Sequence, residues 1–329
     1  MSARAGRHRL KREELVMAVL SLLSEEFERS EAESMWQIAL PASTIRKHLS
    51  ERHGTAYSSD HWLHTQLRRY EDEIGVPLFE RTSQTNTGKE KTFALGLHQP
   101  MTDFYQKQHL YVTEKIKIAN GVYDFIKDYA RRLGKERACN VLLGAGSTVY
   151  HMATIFAEGS HSAPERYHLF THNAGFFQKL LNSNVNYDRL TVSTLGGTLE
   201  PTTRTILGTR LDELGGTELD IVVQGTSNIC NGRLYVESER ERVVKAAILN
   251  ECSGCKILVC TKHEFSERPL TETMSYGWLT DYDYLVVPHS PGNAASRAKQ
   301  YELEFQRHEP YLEPQVLNWN YAIFRIVKR

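Results

Sequence analysis

The chain has 329 residues, 40% of them hydrophobic and 24% charged, with a formal net charge of zero. That length exceeds one ordinary core and allows two, and the composition excludes a disordered or fibrous chain. No apolar run approaches the ~18 residues of a membrane-spanning helix. The basic start, Met1 to Arg12, has no apolar segment of the signal-peptide kind behind it. Five cysteines without regular spacing point to free thiols, so a cytoplasmic protein with no membrane partner is expected.

The first hundred residues read as short helices and one hairpin. Between Arg12 and Phe27, Leu15, Val16, Val19, Leu20, Leu22, Leu23 and Phe27 fall on one helical stripe, with Glu13 and Glu14 where they favour the helix dipole. Pro41 opens a second helix, Ser43 to Arg52, which Gly54 stops. Ser58 or Ser59 caps a third, through Trp62, Leu63, Gln66, Leu67 and Tyr70 to about Ile74, ended by Gly75 and Pro77. Two β-like runs, Pro77–Arg81 and Lys91–Leu95, flank a polar loop.

Three helices followed by a polar hairpin is the order of a winged helix-turn-helix, in which the third helix enters the major groove. That helix offers Ser59, His61, Thr65, Gln66, Arg68 and Arg69 as base-edge and phosphate contacts. The hairpin adds Arg81, Lys89 and Lys91. The arm Arg4, Arg7, Arg9, Lys11 and Arg12 supplies sequence-independent attraction. Taken singly, Arg68 and Arg69 are more often ordinary solvated surface, and the arm reads as well as a disordered tail. The order, the capping and the basic hairpin together favour a double-stranded DNA partner. The expected division is 1–97 for this module and 98–113 for a helical linker.

From about Val112 apolar runs alternate with helical stretches. The strands expected are Asn140–Gly144, Tyr167–Thr171, Leu190–Thr194, Asp220–Gly225, Lys256–Thr261 and Tyr284–Pro288. The helices are Glu114–Leu133, Thr148–Glu158, Ala174–Asn182, Glu239–Cys252 and Gly292–Phe305. Such a pattern implies an α/β fold, a doubly wound, mostly parallel, Rossmann-like sheet covered on both faces. The tail, Val316–Val327, reads as one further edge strand.

Ligands of such sheets bind beyond the carboxyl ends of the strands. There stand Gly144-Ala-Gly146-Ser147-Thr148, Thr171-His-Asn173, Leu195-Gly196-Gly197 and Gly225-Thr226-Ser227-Asn228. Glycines admit a ligand to the backbone, and hydroxyl and amide groups at helix starts attract anions. Any one such loop is more often a turn. Four in register indicate a pocket for a polar small molecule, with or without a phosphate.

The ordered set resembles the effector-sensing domain of the DeoR family of bacterial sugar-metabolism repressors, itself related to ribose-5-phosphate isomerase and glucosamine-6-phosphate deaminase. The likeness runs from Glu114-Lys-Ile-Lys-Ile-Ala119 through Gly146-Ser-Thr148, Thr171-His-Asn173, Leu195-Gly-Gly197, Leu219–Gly225 and Val243-Val-Lys245-Ala-Ala-Ile248 to Ile257–Phe265. It implies a sensor domain over 114–329, an effector site that includes Lys245, and a homo-oligomer on repeated or palindromic half-sites. The chain departs from the pattern at Gly144, where an Asp is usual, and at Glu264, where a lysine is usual, so the family's phosphosugar is not carried over directly; Lys262 is the substitute cation at hand. Thr44-Ile-Arg-Lys-His-Leu49 resembles the family's recognition helix, yet Ser59–Glu73 directly precedes the hairpin and is preferred as the reading helix.

The function expected is therefore a ligand-responsive transcriptional regulator, a repressor, with no cofactor, no metal and no catalytic residue. An isomerase or deaminase needs a carboxylate over the carbon chain. Ser227-Asn228 stand where the related isomerases carry an Asp-Glu pair, and Glu200 is the acid nearest a candidate loop. A protein-binding adaptor using the winged helix is the other alternative. Cys252-Ser-Gly-Cys255 has metal and redox spacing but ends a helix rather than opening one, and reads as two packing cysteines.

Overall fold

The computed structural model describes residues 9–30, 32, 37–55, 57, 59–85, 91–98, 103–134, 137–208, 217–265, 272–289, 306–308 and 311–328. They divide into two compact units, one ending at Tyr111 and the other beginning at Val112.

In the first unit α1 (Arg12–Arg29) buries Leu15, Val16, Val19, Leu20, Leu23 and Phe27 on the stripe that its spacing dictates. A short strand, β1 (Ala39–Pro41), leads into α2 (Ala42–His53), which ends on Gly54 with a positive φ of 61°. Helix α3 (Asp60–Ile74) starts at Ser59, whose hydroxyl accepts from Trp62 N at 3.2 Å, and ends on Gly75 at φ 72°. Both stops use the left-handed conformation that glycine adopts without a Cβ penalty. Strands β2 (Phe79–Thr85) and β3 (Lys91–Leu97) pair antiparallel, and β1 joins β3, giving the order β1-β3-β2. The strands run further than the sequence suggests, and β1 was not foreseen.

The buried carboxylate of Glu71 on α3 fixes the start of β2. Its Oε1 accepts from Leu78 N at 2.7 Å and Phe79 N at 2.8 Å, and its Oε2 from Arg81 at 2.5 Å. After the hairpin, α4 (Phe104–Lys107) packs within this unit, with Gln106 Nε2 donating to Pro77 O at 2.5 Å.

The second unit opens with α5 (Val112–Leu133) and β4 (Cys139–Leu143), followed by α6 (Ser147–Tyr150), α7 (Met152–Ser162), β5 (Tyr167–Thr171), α8 (Ala174–Leu181) and β6 (Leu190–Thr194). A hairpin, β7 (Thr198–Glu200) with β8 (Thr205–Leu207), comes next, then β9 (Ile221–Gly225), β10 (Asn228–Cys230), β11 (Arg233–Tyr235) and α9 (Glu239–Glu251). The last elements are β12 (Cys255–Val259), β13 (Ser275–Trp278), β14 (Tyr284–Pro288), β15 (Leu312–Leu317) and β16 (Tyr321–Ile326). The main sheet has eight strands in the order β15-β16-β14-β12-β9-β4-β5-β6.

From β6 to β14 every neighbour runs parallel. In chain order these strands stand third, second, first, fourth, fifth, sixth, so the connections leave β4 in both directions. Alternation along the strands sends Val141, Leu143, Val223 and Val259 to a core under α5, α7 and α8. It sends Leu142, Phe170 and Val222 to a second core under α9. This is the doubly wound, mixed α/β arrangement that near-continuous apolar strands imply.

The tail differs from the single edge strand expected. It is a hairpin, because Asn318 Oδ1 accepts from Asn320 N at 2.9 Å and Tyr321 N at 2.8 Å and turns the chain back. Strand β16 then pairs antiparallel with β14, leaving β15 outermost. The hairpin β7–β8 and a small sheet β10-β11-β13 were also not foreseen. The helix expected over 292–305 lies outside the described residues. All five cysteines are free thiols, with Cys252 buried at the end of α9. Among the described residues no helix is long and apolar enough to cross a membrane.

Candidate functional site: loops at the carboxyl ends of the parallel strands

The loops expected to form a pocket follow β4, β5, β6 and β9, and the first and last of these flank the point where the strand order reverses. A crevice opens at such a point because adjacent connections turn to opposite faces of the sheet.

After β4, Gly144 N donates to Val223 O at 2.8 Å. A Cβ on Gly144 would lie 3.1 Å from that same oxygen, so the residue is small because β4 and β9 approach closely. Gly146 holds φ 124°, which side chains rarely adopt. It hands the chain to α6, where Ser147 is half-buried and Thr148 buried.

After β5, Thr171, His172 and Asn173 are buried almost completely. Asn173 caps α8 by accepting from Phe176 N at 3.1 Å, and its Nδ2 donates to Gly146 O at 3.0 Å. Thr171 Oγ1 accepts from Asn173 N at 3.1 Å. His172 Nε2 accepts from Ala145 N at 3.2 Å. Thr171 and Asn173 therefore build the loops as well as bordering them. After β6, Gly196 is half-buried and Gly197 exposed. At φ 147°, a Cβ on Gly197 would meet Leu207 O at 2.3 Å, so this glycine lets the hairpin strand β8 pass.

After β9, Gly225 O accepts from Lys245 Nζ at 2.5 Å and from Tyr276 OH at 3.2 Å. Lys245, on α9, is buried and also lies 3.4 Å from Glu241. Thr226 Oγ1 lies within donating distance of Asn228 O (3.1 Å) and Tyr235 O (3.0 Å), while Ser227 N donates to Tyr235 O at 3.0 Å. Thr226 and Ser227 are half-buried.

Sequence reasoning missed the polar layer beneath these loops. Gln224 is fully buried, its Oε1 accepting from Tyr282 OH at 2.6 Å. Burial, and then the positive charge of Lys245, push His172 down to about 3, so it is neutral. With Nε2 accepting, the ring proton sits on Nδ1. His172 Nδ1 and Gln224 Nε2 are buried donors without partners among the described residues.

A second buried polar group follows β12, where the sequence marked Glu264 only as a departure from the family pattern. Buried Thr261 donates to Glu264 at 2.5 Å. Burial raises the Glu264 carboxyl above its ordinary value, against the lowering effects of Thr261 and of buried Lys115 on α5. His263 and Glu114 stand 3.5 Å apart beside it. Lys115 lies within the motif Glu114–Ala119, but spacing along α5 gave no sign that it turns inward. Glu200 lies 3.5 Å from Arg240. Among the described residues no group of three His, Cys, Asp or Glu side chains could hold a metal ion.

In the first unit His61, Arg68 and Arg69 are exposed on α3. Ser59 caps the helix, Thr65 Oγ1 donates to His61 O at 2.8 Å, and Gln66 Oε1 accepts from Arg12 Nε at 3.2 Å. Arg81 is committed to Glu71 and to Phe79 O, 3.2 Å away. Lys89, the side chain of Lys91, and Arg4 and Arg7 lie outside the described residues.

No family model matches the chain, and no curated protein matches it. Among solved structures it is similar to the ribose 5-phosphate isomerase of Plasmodium falciparum at 13% identity, over 63% of this chain and 80% of that one, with a TM-score of 0.29. It is similar to ribose 5-phosphate isomerase A of Methanocaldococcus jannaschii at 12% identity, over 65% and 79%, with a TM-score of 0.33. It is also similar to a chain of the tetrameric eIF2B-beta2-delta2 complex of C. thermophilum at 13% identity, over 91% and 90%, with a TM-score of 0.35.

Proposed function

We propose that the chain is a ligand-responsive DNA-binding transcriptional regulator, a repressor whose grip on an operator is modulated by a small polar effector. The observation that carries the reading is the order of the first unit, α1-β1-α2-α3-β2-β3, with β1 paired to β3 and β3 to β2. A strand before the second helix that completes a three-stranded sheet with the hairpin is the arrangement of a winged helix. Such a module lays its third helix in the major groove. Helix α3 then presents exposed His61, Arg68 and Arg69, side chains that pair with phosphates and guanine edges.

In this reading residues 1–97 are the DNA-binding domain, 98–113 the linker and 114–329 the sensor. The effector binds the Gly146–Thr148 and Gly225–Ser227 loops, and the protein works in the cytoplasm as a homo-oligomer on paired half-sites. Binding alters DNA affinity only as far as the effector prefers one state of the protein. The test is a gel shift with the DNA upstream of the protein's own gene, using Arg68→Ala/Arg69→Ala as control. A discrete complex that weakens steeply with salt and that the double variant loses supports the reading. No complex at any salt, with or without sugar phosphates, sinks it.

A second reading, proton transfer on a sugar phosphate, has Glu264 in its favour. A buried carboxyl whose pKa is raised is what such chemistry uses. Exchange of a substrate C–H proton with solvent deuterium, abolished in Glu264→Gln, would support it over the first.

A further inference from the structure

The ends of the sheet opposite the candidate loops carry a cleft of about 570 Å³, bordered by the first residues of β12 and β14 and the last of β16. Its floor is set by strand register. Tyr284 on β14 is paired with Arg325 on β16, and Arg325 with Glu313 on β15. Residues directly opposite one another across strands share a face, with Cβ atoms about 5 Å apart. An aromatic ring, a guanidinium and a carboxylate thus form one transverse row. Tyr284 packs against Phe125 of α5, ring centroids 4.7 Å apart. Tyr129, one helical turn further along α5, overhangs the same cleft.

The charged groups in the cleft fall into two kinds. Asp283 is saturated, with one oxygen accepting from Lys256 N at 2.8 Å and the other from Lys328 Nζ at 2.8 Å. Arg325 and Glu313 are both exposed, and neither forms a hydrogen bond or ion pair among the described residues. The Tyr129 hydroxyl likewise makes no hydrogen bond among them. The cleft therefore offers one cation and one anion side by side, with tyrosine rings and the Cys255 thiol beyond the cation.

We propose that this cleft binds a free α-amino acid with a large apolar side chain, its carboxylate on Arg325, its ammonium on Glu313 and its side chain between Tyr129 and Tyr284. The α-carboxylate and α-ammonium of an amino acid are separated by one carbon. They match an acid and a base on adjacent strands better than a ligand with a single charge does. A planar guanidinium takes a carboxylate through two parallel hydrogen bonds. The volume lies within the range of about 300–1,000 Å³ usual for small-molecule sites. The site is separate from the strand-end loops and does not depend on the reading given for them.

The test is isothermal titration of the full-length protein with L-phenylalanine, phenethylamine and 3-phenylpropanoate. Phenylalanine should bind saturably in the range of ~0.1–1 mM, with each singly charged analogue weaker by about tenfold or more. Arg325→Ala and Glu313→Ala, both at exposed positions, should each weaken phenylalanine to a similar degree. Equal binding of 3-phenylpropanoate would make this an anion site and overturn the proposal. So would unchanged binding in both variants, or no saturable binding of phenylalanine, leucine or tryptophan up to ~10 mM.

Discussion

Asn173 Nδ2 donates to the carbonyl oxygen of Gly146 at 3.0 Å, fastening the loop after β5 to the loop after β4. The same side chain accepts from Phe176 N at 3.1 Å and so starts α8. One residue therefore has two jobs, and substitutions separate them. Asn173→Ala removes both and should cost about 1–2 kcal/mol for the lost cap together with the penalty of a Gly146 carbonyl deprived of its donor. Asn173→Ser keeps a good cap but is too short to reach Gly146, and should fall between Ala and wild type. Urea denaturation midpoints give the order. Equal destabilisation by Ala and Ser would mean that the bond to Gly146, not the cap, is what matters.

His172 sets a pH dependence. Its folded-state pKa, about 3, lies below the ordinary 6.5 of an unfolded chain. Below pH 6.5 the unfolded state therefore takes up a proton that the folded state refuses, so stability falls as the pH is lowered. The loss accrues between pH 6.5 and about 3, by up to about 1.4 kcal/mol per pH unit. His64 and His168, also lowered by burial, act in the same direction. The informative quantity is thus the difference between wild type and His172→Gln, whose amide oxygen can still accept from Ala145 N. The variant should show a shallower decline of urea midpoint from pH 6.5 to 4. Parallel declines would assign the effect to other groups.

Gly146 and Gly197 make a matched pair. Both hold a positive φ, 124° and 147°, but a Cβ on Gly146 meets nothing within 4 Å, whereas one on Gly197 meets Leu207 O at 2.3 Å. Gly146→Ala should cost only the backbone strain, about 1–3 kcal/mol. Gly197→Ala must also push β8 away from the loop and should cost more. Thermal melts of the two variants, taken side by side, check the order.

What could be read from the chain follows the range of the forces involved. Helix α3 was placed within a residue at both ends because its signals are local, a Ser59 cap and a Gly75 stop. Most of the parallel strands were placed because each is a short, largely buried apolar run; the edge strand β6, with Thr191 and Thr194 exposed, is the exception. Strand β1 escaped because it is three residues long and ends in the proline that opens α2. The tail misled because Val316–Val327 is apolar at both ends, although Asn318-Trp319-Asn320 carried a turn signal between them. His172, Gln224 and Lys115 were illegible for another reason. Their partners, Ala145 N for His172 and Tyr282 for Gln224, are brought near only by the sheet, and the charge of Lys115 reaches Glu264 in the same way.

Arg81 is the residue whose expected role and observed contacts differ most. As a hairpin cation it suits a DNA phosphate, yet its guanidinium lies 2.5 Å from the buried Glu71 carboxylate, which also holds Leu78 N and Phe79 N. Glu71→Ala would strand two buried amides and an arginine, a loss of the kind that costs about 3–5 kcal/mol. Glu71→Gln keeps one acceptor and should cost less. Arg81→Ala leaves the carboxylate with its two backbone donors and should destabilise the first unit by about 1–3 kcal/mol. If Arg81 is structural, Arg81→Ala lowers the melting temperature, and DNA binding measured well below that temperature is retained. Arg68→Ala/Arg69→Ala should do the reverse, weakening DNA binding at unchanged melting temperature, since both residues are exposed on α3. Melts and gel shifts of the two variants in one buffer decide the matter. A loss of DNA binding in Arg81→Ala without any change in melting would return that residue to the proposed DNA interface.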